Sequence, residues 1–196
     1  MALRMFSLLH DRPLPWWRGA VLLLLLCPLF GQAEAPPSAE ENALKAALVY
    51  KLAQFVDWPE SSGRAERFAF CILGEDAFDG ALDRLQGRVL DDRPVVVRHF
   101  RQSEAVSPDC RVLFFGPDKQ PFEREILERL ADRPMLTLGE GDAFAENGGM
   151  IQLRRDGRKF AFVINPARAR RAGLTIAAPL LAMSTIVETR EAPVEP

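Results

Sequence analysis

Residues 67–73 read RFAFCIL, one arginine followed by six apolar side chains without a break. A strand with one wet face alternates apolar and polar residues. A run with no polar gap fits a strand covered on both faces, as in a parallel sheet. Similar runs follow at 94–100 (PVVVRHF), 110–115 (CRVLFF) and 135–138 (MLTL). Between them, Phe78, Ala81, Leu82 and Leu85 predict a helix over 77–86, stopped by Gly87. Phe122, Ile126, Leu127 and Leu130 predict another over 122–131. Strands alternating with helices argue an α/β fold. It has a central, mostly parallel sheet covered by helices on both faces.

The flanks complete this plan. Upstream, Ser38 and Glu41 have the spacing of a capping box. Leu44, Ala47, Leu48, Lys51, Leu52, Phe55 and Val56 then mark the buried stripe of a helix, which Pro59 should end. The stretch FVDWP, residues 55–59, is expected to plug the edge of the core, with Asp57 as its odd member. Downstream, 142–146 predicts a helical turn leading into Gly148-Gly149. Asp156-Gly157 predicts a hairpin between 150–154 and 159–164. A short basic helix is expected over 166–172, stopped by Gly173, and a second over 178–187. The fold therefore ends in a C-terminal β-hairpin and helices, with 188–196 as a frayed tail.

Arg4, Arg12 and Arg18, an apolar run over 20–30, and the small residues Gly31, Ala33 and Ala35 have the layout of a cleaved secretory signal over 1–35. The run is about half of the roughly 20 residues that a bilayer span needs. Residues 36–196 then form a single domain. The whole chain carries 25 basic and 27 acidic side chains, a net charge of −2. Losing three positive and two negative charges with the signal leaves −3. That balance does not suit a nucleic-acid binder. Cys71 and Cys110 remain as an even pair, which in an exported chain is expected to form a disulfide. Closing a loop of that size is worth about 4 kcal/mol in the chain-entropy model.

Signals for chemistry are weak. Once His10 is removed with the signal, His99 stands alone and cannot build a multi-histidine metal site. It sits in a strand as a half-buried residue, and no G-x-S-x-G elbow accompanies it. The LGEGD stretch, 138–142, follows a strand but lacks a phosphate-loop lysine and places acids where a phosphate would want bases. It reads as a turn capped by Asp142. Arg168, Arg170 and Arg171 read as a solvated helix face. No cofactor, metal or catalytic residue is expected, so the chain reads as a non-enzyme.

Several stretches in this order carry a resemblance: KAALVYKLAQFVDWP, CILG, CRVLFF, LTLGEGDAFAENGGMIQL and KFAFVINPARARRAGLTIAAPLLAMSTIV. Over about residues 40–187 the chain resembles the YfiR family of bacterial periplasmic proteins. The resemblance implies a non-catalytic regulator that binds and inhibits an inner-membrane diguanylate cyclase (YfiN-like), lowering cyclic-di-GMP and biofilm formation. It also implies an outer-membrane lipoprotein (YfiB-like) that sequesters the regulator, and dimers with redox-sensitive disulfides. Cys71 and Cys110 match a family disulfide. A second family pair near Gly148-Gly149 is missing, with Phe144 and Met150 standing there. Val163 replaces an acid often found before the I-N motif, and Pro166 a more usual apolar residue. The partner-binding surface is placed on the hairpin and tail, at Gly148, Gly149, Met150, Ile151, Asn165, Arg171, Leu174 and Ile176. The competing reading is a periplasmic small-molecule-binding protein feeding a sensor or transporter, with a pocket at the carboxyl ends of the strands.

Overall fold

The computed structural model describes residues 38–59, 65–157 and 159–187. The expected signal over 1–35 and the frayed tail over 188–196 lie outside these residues. The described chain runs α1 (Ala39–Ala53), β1 (Val56–Asp57), β2 (Phe68–Leu73), a 3-10 turn (Leu82–Leu85), β3 (Val89–Leu90), β4 (Arg93–Phe100), β5 (Cys110–Phe115), α2 (Glu123–Arg129), β6 (Leu136–Gly139), β7 (Ile151–Asp156), β8 (Lys159–Ile164), α3 (Pro166–Arg171), β9 (Thr175–Ile176), α4 (Ala178–Ala182) and β10 (Thr185–Ile186).

One sheet holds eight strands in the order β10-β8-β7-β6-β5-β2-β4-β3. Its pairings are parallel except β7 with β8 and β3 with β4. The expected mostly parallel sheet is therefore present. β2 lies between β4 and β5, and every residue in it is buried. Its side chains split by parity. Phe68, Phe70 and Ile72 enter one core with α1, while Ala69, Cys71 and Leu73 enter a second core with Ile126, Leu127 and Phe144. Cys71 and Cys110 are disulfide-bonded across the β2–β5 pair, with Cα atoms 6.0 Å apart, inside the second core.

The helices depart from the sequence expectations in instructive ways. Ser38 caps α1 as predicted, its hydroxyl accepting from the Glu41 N–H at 3.2 Å. The Glu41 carboxylate, however, pairs with Arg155 at 2.7 Å across to the hairpin. The buried face of α1 is Asn42, Lys45, Ala46, Val49, Leu52 and Ala53, whereas Leu44 is 48% exposed. The predicted stripe was out of phase because Lys45 goes inward. Its ammonium meets Glu140 at 3.1 Å and lies 5.3 Å from the centre of the Phe78 ring. The helix also ends at Ala53, well before Pro59, because the chain must turn there to pair β1 with β9. Val56 is buried, and Phe55 and Trp58 pack on the first core. Exposed Asp57 lies opposite Thr175.

Two predicted helices are shorter than expected. Over 77–86 only a 3-10 turn forms. The Asp76 carboxylate accepts from the N–H groups of Phe78 and Gly80, and Asp79 and Gly80 take positive φ, which ends any helix started there. The tail helix stops at Ala182, because Thr185 and Ile186 pair with β8. The expected helical turn at 142–146 is a series of turns without a helix, so Asp142 caps none.

The double variant Cys71→Ala/Cys110→Ala should fold with an intact sheet but lose about 4 kcal/mol of stability, read from the denaturation midpoint. An unchanged midpoint would show that the bridge does not constrain the unfolded chain.

Candidate functional site

The hairpin and tail are organised around the loop at Gly148-Gly149. Gly148 takes φ +104, a region that suits glycine. Gly149 lies against Phe144 so closely that a Cβ there would sit 2.1 Å from the ring. A set of buried polar groups holds this loop. The Asn165 side chain accepts from the Arg168 N–H at 3.1 Å, capping α3, and donates to the Ala145 carbonyl at 3.0 Å. Thr137 Oγ1 accepts from the Met150 N–H at 3.1 Å, and the Gln152 side chain donates to the Asp142 carbonyl at 3.0 Å. Arg168 reaches from α3 to the Gly148 carbonyl and to the Leu127 carbonyl in α2, each at 3.0 Å. It is therefore a cross-link between segments and not part of a solvated face. Burial pulls its guanidinium below the usual value, with Arg171 adding and Asp132 and Glu128 opposing.

This arrangement places the eight proposed partner residues as follows. Gly149, Met150, Ile151, Asn165, Leu174 and Ile176 are buried, Gly148 is half-buried and Arg171 is exposed, bonded to Asp132 at 3.3 Å. Ile176 pairs with Val56 in the β1–β9 ladder. Met150 and Asn165 are joined backbone to backbone beside the loop, whereas Arg171 and Ile176 are held by other segments, and most of the eight serve as scaffold. The exposed side chains around them include Arg154, Arg155, Asp156, Lys159, Arg170 and Thr175. His99, expected to be half-buried, is exposed and bonded to Asp83 at 2.9 Å.

Glu123, at the start of α2, faces the same loop region. Its carboxyl is buried where a Gly141 Cβ would stand 2.6 Å away. Burial pushes its pKa above the ordinary carboxylate value, and a hydrogen bond with the Asn147 side chain opposes that.

A second concavity was not foreseen. A cleft of about 1100 Å³ opens at the amino ends of β2, β4 and β5, lined among others by Asp57, Trp58, Glu66, Asp91, Arg93 and Arg111. This cleft therefore lies at the opposite sheet end from the one expected. Trp58 stands edge-on to Phe68 at 5.3 Å, and its indole N–H is buried with no hydrogen-bond partner among the described residues. Arg93 lies 5.2 Å over the Phe68 ring and pairs with Asp91. Arg111 is 5% exposed. Burial lowers its pKa, and Arg93 adds to the shift while Asp109 and Asp91 oppose it. The signal for this site was present in the sequence, since Arg111 interrupts an otherwise apolar strand.

Among the described residues, no helix is long and apolar enough to cross a membrane, and no group of three or more His, Cys, Asp or Glu side chains could hold a metal ion.

Comparison with known proteins agrees with the fold. A crystal structure of a "conserved domain protein" from Vibrio cholerae O1 biovar El Tor is similar, with a TM-score of 0.53 at 12% identity. The match covers 75% of this chain and 60% of that one. No curated protein matches. The pattern of the YfiR/HmsC-like family matches residues 42–185, most of the chain, and the chain belongs to that family.

Two outcomes test the loop. Gly149→Ala should cost about 1–3 kcal/mol, the usual range for overpacking, measured by denaturant unfolding. A neutral result would place Phe144 in a softer setting than its contacts indicate. Glu123→Gln tests the buried acid. A raised folded pKa contributes stability fully below the unfolded value, and that contribution is lost as pH rises through the folded value. The natural chain should therefore lose stability as pH climbs above the ordinary carboxylate range, whereas the Gln variant should not. Parallel curves for the two chains would contradict this.

Proposed function

We propose, from its membership of the YfiR/HmsC-like family, that this chain is a non-catalytic periplasmic regulator. It binds the periplasmic domain of an inner-membrane diguanylate cyclase and holds that enzyme inactive, so cyclic-di-GMP and biofilm formation fall. The family match carries the reading, because it supports a periplasmic regulator of cyclic-di-GMP signalling in general. A buried disulfide fits an oxidising compartment. The mechanism is a population shift. The regulator must bind the inactive cyclase more tightly than the active one, and moving a two-state balance from 1:99 to 99:1 needs about 10⁴-fold preference. A YfiB-like outer-membrane lipoprotein would release the cyclase by competing for the regulator.

The partner surface belongs to the Gly148-to-Ile176 region. Its buried members fix the backbone, and its exposed members, Arg171 included, make the contact. A second reading, a small-molecule-binding protein of the periplasm, is favoured by one observation. Trp58 lines the cleft, and its buried indole N–H has no partner among the described residues. A small molecule that raises the melting temperature of the natural chain but not of Trp58→Phe would support it.

Deleting the gene in its host should raise intracellular cyclic-di-GMP, and restoring the exported protein should reverse the rise. No change, with a neighbouring cyclase expressed, would exclude the repressor reading for this chain.

A further inference from the structure

The two edges of the sheet are treated very differently. On the β4 side the backbone is covered as far as Val97. Val95 exchanges bonds with Arg88 and Gly87 at 2.6 and 2.9 Å, and the Gln86 side chain accepts from the Val97 N–H at 2.9 Å. Such covering is the usual defence of an edge strand. On the other side, β10 lies beside β8 only at Val163 and Ile164. Among the described residues, nothing pairs with the outer side of β8 from Lys159 to Ala161.

The phase of the hairpin tells which groups face out. Asp156 and Lys159 flank a two-residue turn, so they form a hydrogen-bonded pair, and the pairs alternate from there. Ala161 therefore bonds to β7, whereas Phe160 and Ile164 turn their backbone groups away from it. Ile164 bears this out, since its carbonyl accepts from Val187 at 2.8 Å. The backbone of Phe160 points outward in the same phase.

The side chains around this edge have a consistent pattern. Residues 154–159 read RRDGRK, four cations to one acid, in a chain whose net charge is −2. Arg154 lies opposite Ala161, and Asp156 opposite Lys159, on the exposed face of the hairpin. Arg155 is held by Glu41, but Arg154 and Lys159 have no ion-pair partner among the described residues. On the other face, Phe160 and Phe162 are half-buried against the first core.

We propose that the outer edge of β8, from Lys159 to Ala161, takes an extended segment of a partner protein as an added strand, and that this segment alternates acidic and apolar side chains. Its acids would lie on the exposed face beside Lys159 and Arg154, and its apolar residues would continue the Phe160–Phe162 face. A second copy of this chain is the poorer occupant, because edge-to-edge pairing would bring Lys159 and Arg154 of both copies to one face with no added acid to meet them. This inference rests on the reading of the chain as a partner-binding regulator, and it names the partner's chemistry.

The test uses the full exported chain with two capped heptapeptides, Glu-Val-Glu-Val-Glu-Val-Glu and its Lys/Val counterpart, and residue-resolved amide exchange. The acidic peptide should slow exchange at the Phe160 amide by about tenfold or more, leave the already paired Ala161 amide unchanged and weaken with salt. The lysine peptide should do nothing. Arg154→Gln/Lys159→Gln should weaken binding of the acidic peptide by about tenfold while leaving the amide-exchange pattern of the free chain intact. Equal effects of the two peptides, or binding that leaves the Phe160 amide unprotected, would overturn the proposal. So would a cyclase periplasmic domain that binds the chain but leaves that amide fast. If the acidic peptide protects Phe160 while gene deletion leaves cyclic-di-GMP unchanged, the edge stands and the cyclase reading fails.

Discussion

The alternation of side chains along β2 puts Phe68, Phe70 and Ile72 on one side and Ala69, Cys71 and Leu73 on the other, all of them buried. A large apolar side chain gains about 1.5–3 kcal/mol on full burial, so neither side can be left in water. Two covers are required. α1 closes the first core, together with the 55–59 corner, and α2 with Phe144 closes the second. The disulfide lies in the second core, where it ties β2 to β5. The corner at 55–59 follows from the same requirement. Val56 must reach Ile176 in the β1–β9 ladder to seal the first core, which sets where α1 has to stop.

The strands were legible because their signal is local. A continuous apolar run or an Asp-Gly turn carries its own meaning, and β2, β4, β5 and the β7–β8 hairpin lie close to where the sequence puts them. The helices were less legible because their phase depends on distant partners. Lys45 is buried only because Glu140, 95 residues away, receives its charge, and nothing in α1 announces that. The 77–86 segment has helical apolar spacing, yet Asp76 binds the backbone that a helix would need. The tail had good spacing to Val187, but pairing with β8 outweighed it. β3 escaped notice for a related reason, since two residues have no periodicity. Asp91 and Asp92, at φ +53 and +58, make the turn that creates it.

The site shows a further division. Most motif residues that carry the family resemblance are interior: Lys45, Gly149, Met150, Asn165 and Leu174 are buried. They specify how the Gly148-Gly149 loop, α3 and α2 lock together through Arg168 and Asn165. Such residues define a fold that can be shared by proteins with different partners. The choice of partner has to be made by side chains that reach solvent, and these lie between the motif positions. Sequence reasoning that follows motifs is therefore drawn toward the scaffold and away from the contact surface. Arg111 was passed over although it lies inside the CRVLFF stretch, where a guanidinium within a buried strand needs a physical account of its own.

A regulator must let go as well as hold. A large apolar interface would favour permanence, whereas exposed charges mainly govern the rate of encounter and its dependence on salt. The hairpin suits a reversible contact, because its backbone edge supplies register and Arg154 and Lys159 supply selection by sign. The cores behind it supply rigidity. Arg155 anchors the hairpin to α1 through Glu41, so the proposed partner would meet an edge that is already in place. Little ordering cost then has to be met at the moment of binding, and modest contacts can still discriminate between two states of the partner.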